Sequence, residues 1–329
     1  MTDSANLVRK HAMPRAPSLA LVTAIAVVGL SIPGHGRALV TVRISTGPPT
    51  VSFRPLAEAM VRAYGRVAPD LHFVLIDTPG SVRNIQNLQQ GTSDIGFALA
   101  DVAYMGYNGR LADSTLPLHD IRGIAVLHSS TVHLLAGPHS GIRSIGDLKG
   151  RRIGMGPTGS GAAVTSEVLL RAFHVLPNQV EERPLPFAEA TDQLIAGALD
   201  AAFVVSADPT PEVKRATEAG ARLLEIRGPT IESLRANYPF LRSGFIPADM
   251  YTGHPNPIHT LSLDVLLLGR AGLDEGLVHR LTLTLFQVLP QLGAELRFLR
   301  NMDPSRAAAT PIPLHPGAAL FYREQELAR

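Results

Sequence analysis

The sequence contains no cysteine. That excludes disulfides, thiolate metal sites and a lipid-modified amino-terminal cysteine, and it fits an oxidising compartment. No G-x-S-x-G elbow of a nucleophilic hydrolase occurs. Beyond the amino terminus there is no basic run that could follow a phosphate backbone, which excludes a nucleic-acid partner. The formal charge of +2 belongs to the leader: setting aside residues 1 to 38 removes Arg9, Lys10, Arg15 and Arg37 with Asp3 and leaves −1. His128, His133 and His139 are spaced five and six apart, wrong for one face of a helix or strand, so no metal site is expected.

What is present is a chain of 329 residues, 45% hydrophobic and regularly punctuated by Gly and Pro, as in a soluble α/β protein of about two domains. Arg9, Lys10 and Arg15 precede the uncharged run PSLALVTAIAVVGLSIPG, which is slightly short for a membrane span and ends in helix breakers. Gly36-Arg37-Ala38 then puts small residues where a signal peptidase reads, so cleavage after Ala38 and export to the periplasm are expected.

The stretch DTPGSVRNIQNLQQGTSDIGFALADVAYMGYN organises the rest. Residues 71 to 77 (LHFVLID) form a strand stopped by Pro79-Gly80, and Ser81 is placed to cap a helix whose apolar Val82, Ile85 and Leu88 share a face. Gly91 ends that helix, and DIGFAL is apolar enough for a strand buried on both faces. Ligands of open parallel sheets gather at the strands' carboxyl ends, beside the amino termini of the following helices. Here those ends carry Gly80-Ser81-Val82, then Asp101 and Tyr104.

The plan repeats. VTVRIS is a strand followed by the loop Thr46-Gly47-Pro48-Pro49-Thr50 and a helix from Pro55. Two further strands are expected at residues 121 to 127 and 132 to 136, then a Gly/Pro boundary at 137 to 141. RRIGM leads into Gly156-Pro157-Thr158-Gly159-Ser160-Gly161 and a helix, and AAFVV ends at Ser206-Ala207-Asp208-Pro209. Residues 211 to 257 read as helix, strand, helix and a Pro-rich return, followed by the strand HTLSLDVLLLG and two carboxyl-terminal helices. Two α/β halves that aim loops from strand ends at one another make a clamshell with a small ligand between its lobes. The expected division is residues 39 to 136 with 258 to 329 in one lobe and 137 to 257 in the other.

The segments GSVRNIQNLQQGTSDIGFALADVAYMGYNG, DLKGRRIGMGPTGSGAAVTSEVLLRA, FAEATDQLIAGALDAAFVVSADPTP, YPFLRSGFIPADMYTG and TPIPLHPGAALFYRE, in that order, resemble the TAXI-type solute receptors of tripartite ATP-independent periplasmic (TRAP) transporters. The resemblance implies a type II periplasmic-binding fold without catalysis or cofactor. It also implies delivery of a small anion or amino acid, glutamate-like, dicarboxylate or keto acid, to a membrane permease driven by an ion gradient. Carried over by position, the ligand contacts fall at Thr46 and Gly47, at Gly80, Ser81 and Val82, at Asp101 and Tyr104, at Thr158, Gly159 and Ser160, and at Ser206 and Asp208. The first loop departs from the family pattern: Pro48 and Pro49 have no N–H to donate and Arg54 stands where an aromatic is usual, so Arg54 is expected to supply a fork for a ligand carboxylate. A nicotinamide-dependent oxidoreductase is the enzyme alternative, since Gly154, Gly156 and Gly159 satisfy G-x-G-x-x-G between a strand and a helix, yet no motif supplies its catalytic acid or base.

Overall fold

The computed structural model describes residues 39–49, 51–112, 115–238, 240–300 and 302–327. The expected leader and its cleavage after Ala38 lie outside the described residues.

In the amino-terminal half, β1 (Val40–Ser45), α1 (Phe53–Val67), β2 (Leu71–Ile76), α2 (Ser81–Gln89), β3 (Ile95–Leu99) and α3 (Ala100–Tyr107) alternate as their apolar periods predict. All three strands are parallel, with β1 between β2 and β3. Every residue of β3 is buried, as its unbroken apolar run requires. Gly91 at φ +68° takes the left-handed turn after α2.

The other half repeats this order with β5 (Arg152–Gly154), α4 (Gly161–Ala172), β6 (Glu181–Arg183), α5 (Phe187–Ile195) and β7 (Ala201–Ser206), where β5 lies between β6 and β7, all parallel. One ion pair marks the correspondence. In β1, Arg43 binds Asp94, just ahead of β3, through its backbone N, Nε and Nη2 at 2.9, 3.0 and 2.8 Å. In β5, Arg152 binds Asp200, just ahead of β7, through the same three atoms at 2.8, 3.0 and 2.8 Å. Each arginine pins its central strand to the start of the third, fixing the parallel register by a charge-assisted fork. The paired carboxyls of Asp94 and Asp200 stay below their ordinary range: burial raises Asp94, but hydrogen bonds from Arg43 outweigh it, and Asp200 is held down chiefly by the hydrogen bond from Arg152.

Two long antiparallel strands, β4 (Ile121–Ala136) and β10 (Ile258–Arg270), join the halves into a ten-stranded sheet of order β2-β1-β3-β10-β4-β7-β5-β6. The two strands expected at 121 to 127 and 132 to 136 are one: Ser129, Ser130 and Thr131 break the apolar pattern but continue the ladder against β10. The Pro-rich return also hides a strand, β9 (Leu241–Ile246), which pairs with β10, while β8 (Arg222–Leu224) pairs with β4. Helices α6 (Pro211–Glu218), α7 (Pro229–Asn237), α8 (Glu275–Glu295) and α9 (Pro316–Leu327) complete the layers. After the Gly/Pro boundary comes a single 3-10 turn, Ile145–Leu148, opened by a reciprocal Ser144–Asp147 capping box. Among the described residues no helix is long and apolar enough to cross a membrane.

Candidate functional site

The carboxyl ends of β2 and β5 aim their loops at each other. Gly80, at φ +134°, turns the chain into α2, and Gly156 and Gly159, at φ +91° and +81°, shape the loop into α4. Each conformation is in the left-handed region open to glycine, which explains the Gly-Ser punctuation at both helix starts. The two amino termini then meet. The Arg83 amide donates to the Gly159 carbonyl at 3.2 Å, and Gly161 packs so closely that a Cβ there would lie 2.6 Å from Ser81 Oγ and 2.7 Å from Leu99 Cδ1.

Between them lies a cavity of about 40 Å³ lined by Val51, Ser52, Phe53, Pro79, Gly80, Ser81, Leu99, Ser130, Pro157, Ser160, Gly161, Ala162, Phe187 and Val205. The Ser81 hydroxyl is not the expected helix cap. Gly80 holds the cap position without a side chain, and Ser81 Oγ instead accepts from the Leu99 amide at 3.1 Å, tying α2 to the end of β3. Ser160 does cap α4, accepting from the Ala163 amide at 3.2 Å. Among the described residues the amides of Ser81, Val82, Gly161 and Ala162 donate to no protein group, so the positive ends of two helices converge on the cavity. A groove of about 710 Å³ runs outward from Ser160 between α2, α3, α4 and α7, with Val82, Thr158 and Gly159 in its wall.

Of the expected contacts, Gly80, Ser81 and Ser160 line the cavity, and Val82, Thr158 and Gly159 line the groove beside it. The others stand elsewhere. Thr46 Oγ1 donates to the Ile76 carbonyl at 3.0 Å while its own carbonyl accepts from Thr78 and Asn84, so it staples β1 to β2 and α2. A Cβ on Gly47 would lie 3.2 Å from Val51, which makes that glycine a packing requirement. Arg54 does not line the cavity: its Nε donates to Glu58 Oε1 at 2.7 Å and its Nη1 pairs with Asp77. Two carboxylates already balance its charge, and the fork expected for a ligand closes an ion pair within the chain. The Tyr104 ring packs on Phe240 with centroids 5.0 Å apart. Ser206 is buried at the end of β7, opposite Thr131. Asp208 lies behind β4, accepting from His133 Nε2 at 2.7 Å, from the Tyr251 hydroxyl at 2.9 Å and from Thr131. Burial pushes the Asp208 carboxyl up, but the His133 hydrogen bond and charge, with those of Thr131 and Tyr251, hold it below the ordinary value.

Sequence reasoning missed Ser52, Phe53, Ser130, Phe187 and Val205. The available signal was positional: Ser52-Phe53 follows the loop after β1 as Phe187 follows β6, and Ser130 sits in the one polar break of a long strand.

Asp101, 1% exposed, joins the halves. Its Oδ2 accepts from Thr165 Oγ1 of α4 at 2.7 Å and its Oδ1 from the Val102 amide at 2.8 Å. Burial, against those bonds, pushes its pKa up to about 6. The fold therefore favours the protonated carboxyl. Its contribution is fully present below the unfolded value of 3.8 and is lost as pH rises through about 6. Asp101→Asn, nearly isosteric and uncharged, should gain on the wild type by about 3 kcal/mol in denaturant unfolding between pH 4 and pH 7, with a constant difference above that. Parallel stability profiles for the two proteins across that window would refute the assignment.

The profile of the NMT1-like family matches residues 44–325. Among solved structures, the periplasmic binding protein BugD is 12% identical over 88% of this chain and 94% of its own, with a TM-score of 0.53. XAC2383 from Xanthomonas citri, bound to chloride ion, is 11% identical over 87% and 99%, also with 0.53. The alkanesulfonate-binding protein SsuA from Xanthomonas axonopodis pv. citri, bound to MOPS, is 19% identical over 87% and 83%, with 0.48. The likeness to the first two shows the fold, an α/β architecture of the type II periplasmic-binding class, as expected from the sequence.

Proposed function

The chain belongs to the NMT1-like family, a periplasmic solute-binding family, and from that we propose that it is the extracytoplasmic receptor of a transporter, capturing a small anion between its two halves. The observation that carries the reading is the pair of helix amino termini, α2 and α4, converging with unengaged amides and two serine hydroxyls on one small cavity. Anions collect at such ends because amide N–H groups and the helix dipole point at them. The halves, taken as lobes of residues 39 to 136 with 258 to 329 and of 137 to 257, part about β4 and β10 near residues 132 to 137 and 256 to 261 to admit the solute. The finer assignment, a TAXI-type receptor serving a TRAP permease, rests on the five sequence segments quoted above. Lacking cysteine, the sequence offers no residue for a thiol-linked lipid.

The nicotinamide alternative is disfavoured by the family match and by the want of a motif that supplies its catalytic acid or base, and the groove of about 710 Å³ beside Thr158, Gly159 and Ser160 makes NADH binding the direct test between the two. Purified protein from residue 39 onward should show ligand-dependent rises in melting temperature with small anions and none with NADH. In proteoliposomes carrying the permease, uptake should need this receptor and an ion gradient but no ATP. NADH binding by calorimetry would defeat the receptor reading, and ATP-driven uptake would defeat the TRAP assignment alone.

A further inference from the structure

We infer that the cavity selects a compact monoanion of about four non-hydrogen atoms, a short-chain monocarboxylate of the size of acetate, and turns away amino acids and dicarboxylates; the inference rests on the receptor reading above and narrows it. Three observations carry it.

The first is charge. None of the residues lining the cavity is ionisable. Arg54, in the first turn of α1, is engaged by Glu58 and Asp77, and Asp101, in the first turn of α3, is engaged by Thr165 and the Val102 amide. A zwitterion placed here would leave its ammonium without a carboxylate, and a dicarboxylate would leave its second charge without a cation. Either is costly beside the buried side chains of Ser81, Leu99, Ser130 and Phe187, where an unpaired charge loses much of its water.

The second is the inventory of donors. Ser130, 2% exposed, and Ser52, 7% exposed, line the cavity, and among the described residues their hydroxyls make no hydrogen bond within the chain. The oxygens of Ser81 and Ser160 accept from backbone amides, which leaves both O–H groups to donate. Four hydroxyls and the free first-turn amides of α2 and α4 therefore offer many donors and no charged acceptor. One carboxylate, with two oxygens and about four lone-pair sites, uses such a set without a counter-cation.

The third is size and wall. A single water needs roughly 10 to 15 Å³ of such volume, so a cavity of about 40 Å³ holds about three to four non-hydrogen atoms. Its remaining walls are Phe53, Leu99, Phe187 and Val205, apolar surface against which a methyl group packs.

Calorimetric titration of the protein from residue 39 onward with sodium acetate, propionate, glutamate, succinate, 2-oxoglutarate and nitrate, with acetamide as the neutral isostere, tests this. Acetate should bind at least tenfold tighter than glutamate, succinate, 2-oxoglutarate and acetamide, with propionate weaker than acetate, and Ser130→Ala, with an unchanged melting temperature, should weaken acetate about tenfold. Glutamate, succinate or 2-oxoglutarate binding as tightly as acetate would overturn the size and charge argument and leave the receptor reading standing. Nitrate equal to acetate would overturn the assignment to carboxylates, because the apolar wall would then contribute nothing. An unchanged acetate affinity in Ser130→Ala would overturn the placement of the ligand. Failure of every anion in the panel to bind would overturn both readings.

Discussion

Gly161→Val is expected to weaken acetate binding about a hundredfold while leaving the melting temperature of the ligand-free protein within about 3 °C of wild type. Gly161 opens α4 and has no positive φ, so the backbone accepts a side chain without strain. What it lacks is room. The added Cβ would meet Ser81 Oγ and Leu99 Cδ1 at 2.6 and 2.7 Å, and both belong to the facing half. Leu99 ends a fully buried strand and Ser81 is held by the Leu99 amide, so neither can yield cheaply. When the halves part, the clash vanishes. The penalty therefore falls on the closed form, and overpacking of about 3 kcal/mol reduces apparent affinity by about two decades. Gly161→Ala should lie between, near tenfold. Wild-type affinity in the valine variant would mean that the ligand is bound without the two helix termini meeting. A large fall in melting temperature without ligand would mean that their contact is part of the fold and not of closure.

The second large effect concerns stability. Asp208→Ala should cost about 3 to 5 kcal/mol, lowering the melting temperature by roughly 6 to 15 °C. The carboxylate is shared by His133, fully buried, by the Tyr251 hydroxyl and by Thr131, and His133 Nδ1 lies 3.1 Å from the Val204 carbonyl. Deleting it strands the buried His133 and Tyr251, and an unsatisfied buried donor loses its full desolvation energy. Tyr251 also accepts from the Thr210 amide at 2.8 Å, so the loss would reach the start of α6. Asp208→Asn keeps one acceptor and should recover part of the loss. Asp208 was expected to touch ligand. Acetate affinity measured well below the transition therefore separates the roles: unchanged binding with a depressed melting temperature marks Asp208 as an anchor of the crossing strands. A melting temperature within 2 °C of wild type would remove that role.

The strands and helices that follow a strict period were readable in the sequence because burial on one or both faces imposes that period. β3 is apolar throughout because both its faces are covered, and α2 shows its core face at Val82, Ile85 and Leu88. Where two demands compete, the pattern failed. β4 passes through the cleft, so Ser129, Ser130 and Thr131 serve polar surroundings in mid-strand and imitate a loop. β9 carries Arg242 and the exposed Phe245, and lacks a clean alternation. The site divides in the same way. Gly80, Ser81 and Ser160 could be found because a strand-to-helix turn at a binding edge needs Gly and a small hydroxyl residue locally. Ser52, Ser130, Phe187 and Val205 reach the cavity from segments far apart in the chain, and no local pattern records that convergence. Arg54 was expected to meet a ligand carboxylate, while its ion pair with Glu58, four residues on, follows from helical spacing.

β10 occupies the middle of the sheet, where Val265 stands opposite Leu99 of β3 on one side and His128 of β4 on the other. During synthesis this strand appears near the end, after more than three quarters of the chain. Until then β3 and β4 each carry a bare, apolar edge, and the sheet cannot close. So many pairings between distant segments make folding slow, because loop-closure entropy is spent before the contacts form. If the chain is exported as proposed, the delay is useful: it remains threadable through a translocation channel until β10 has been made. The same delay makes β3 and β4 the edges most exposed to aggregation if export stalls.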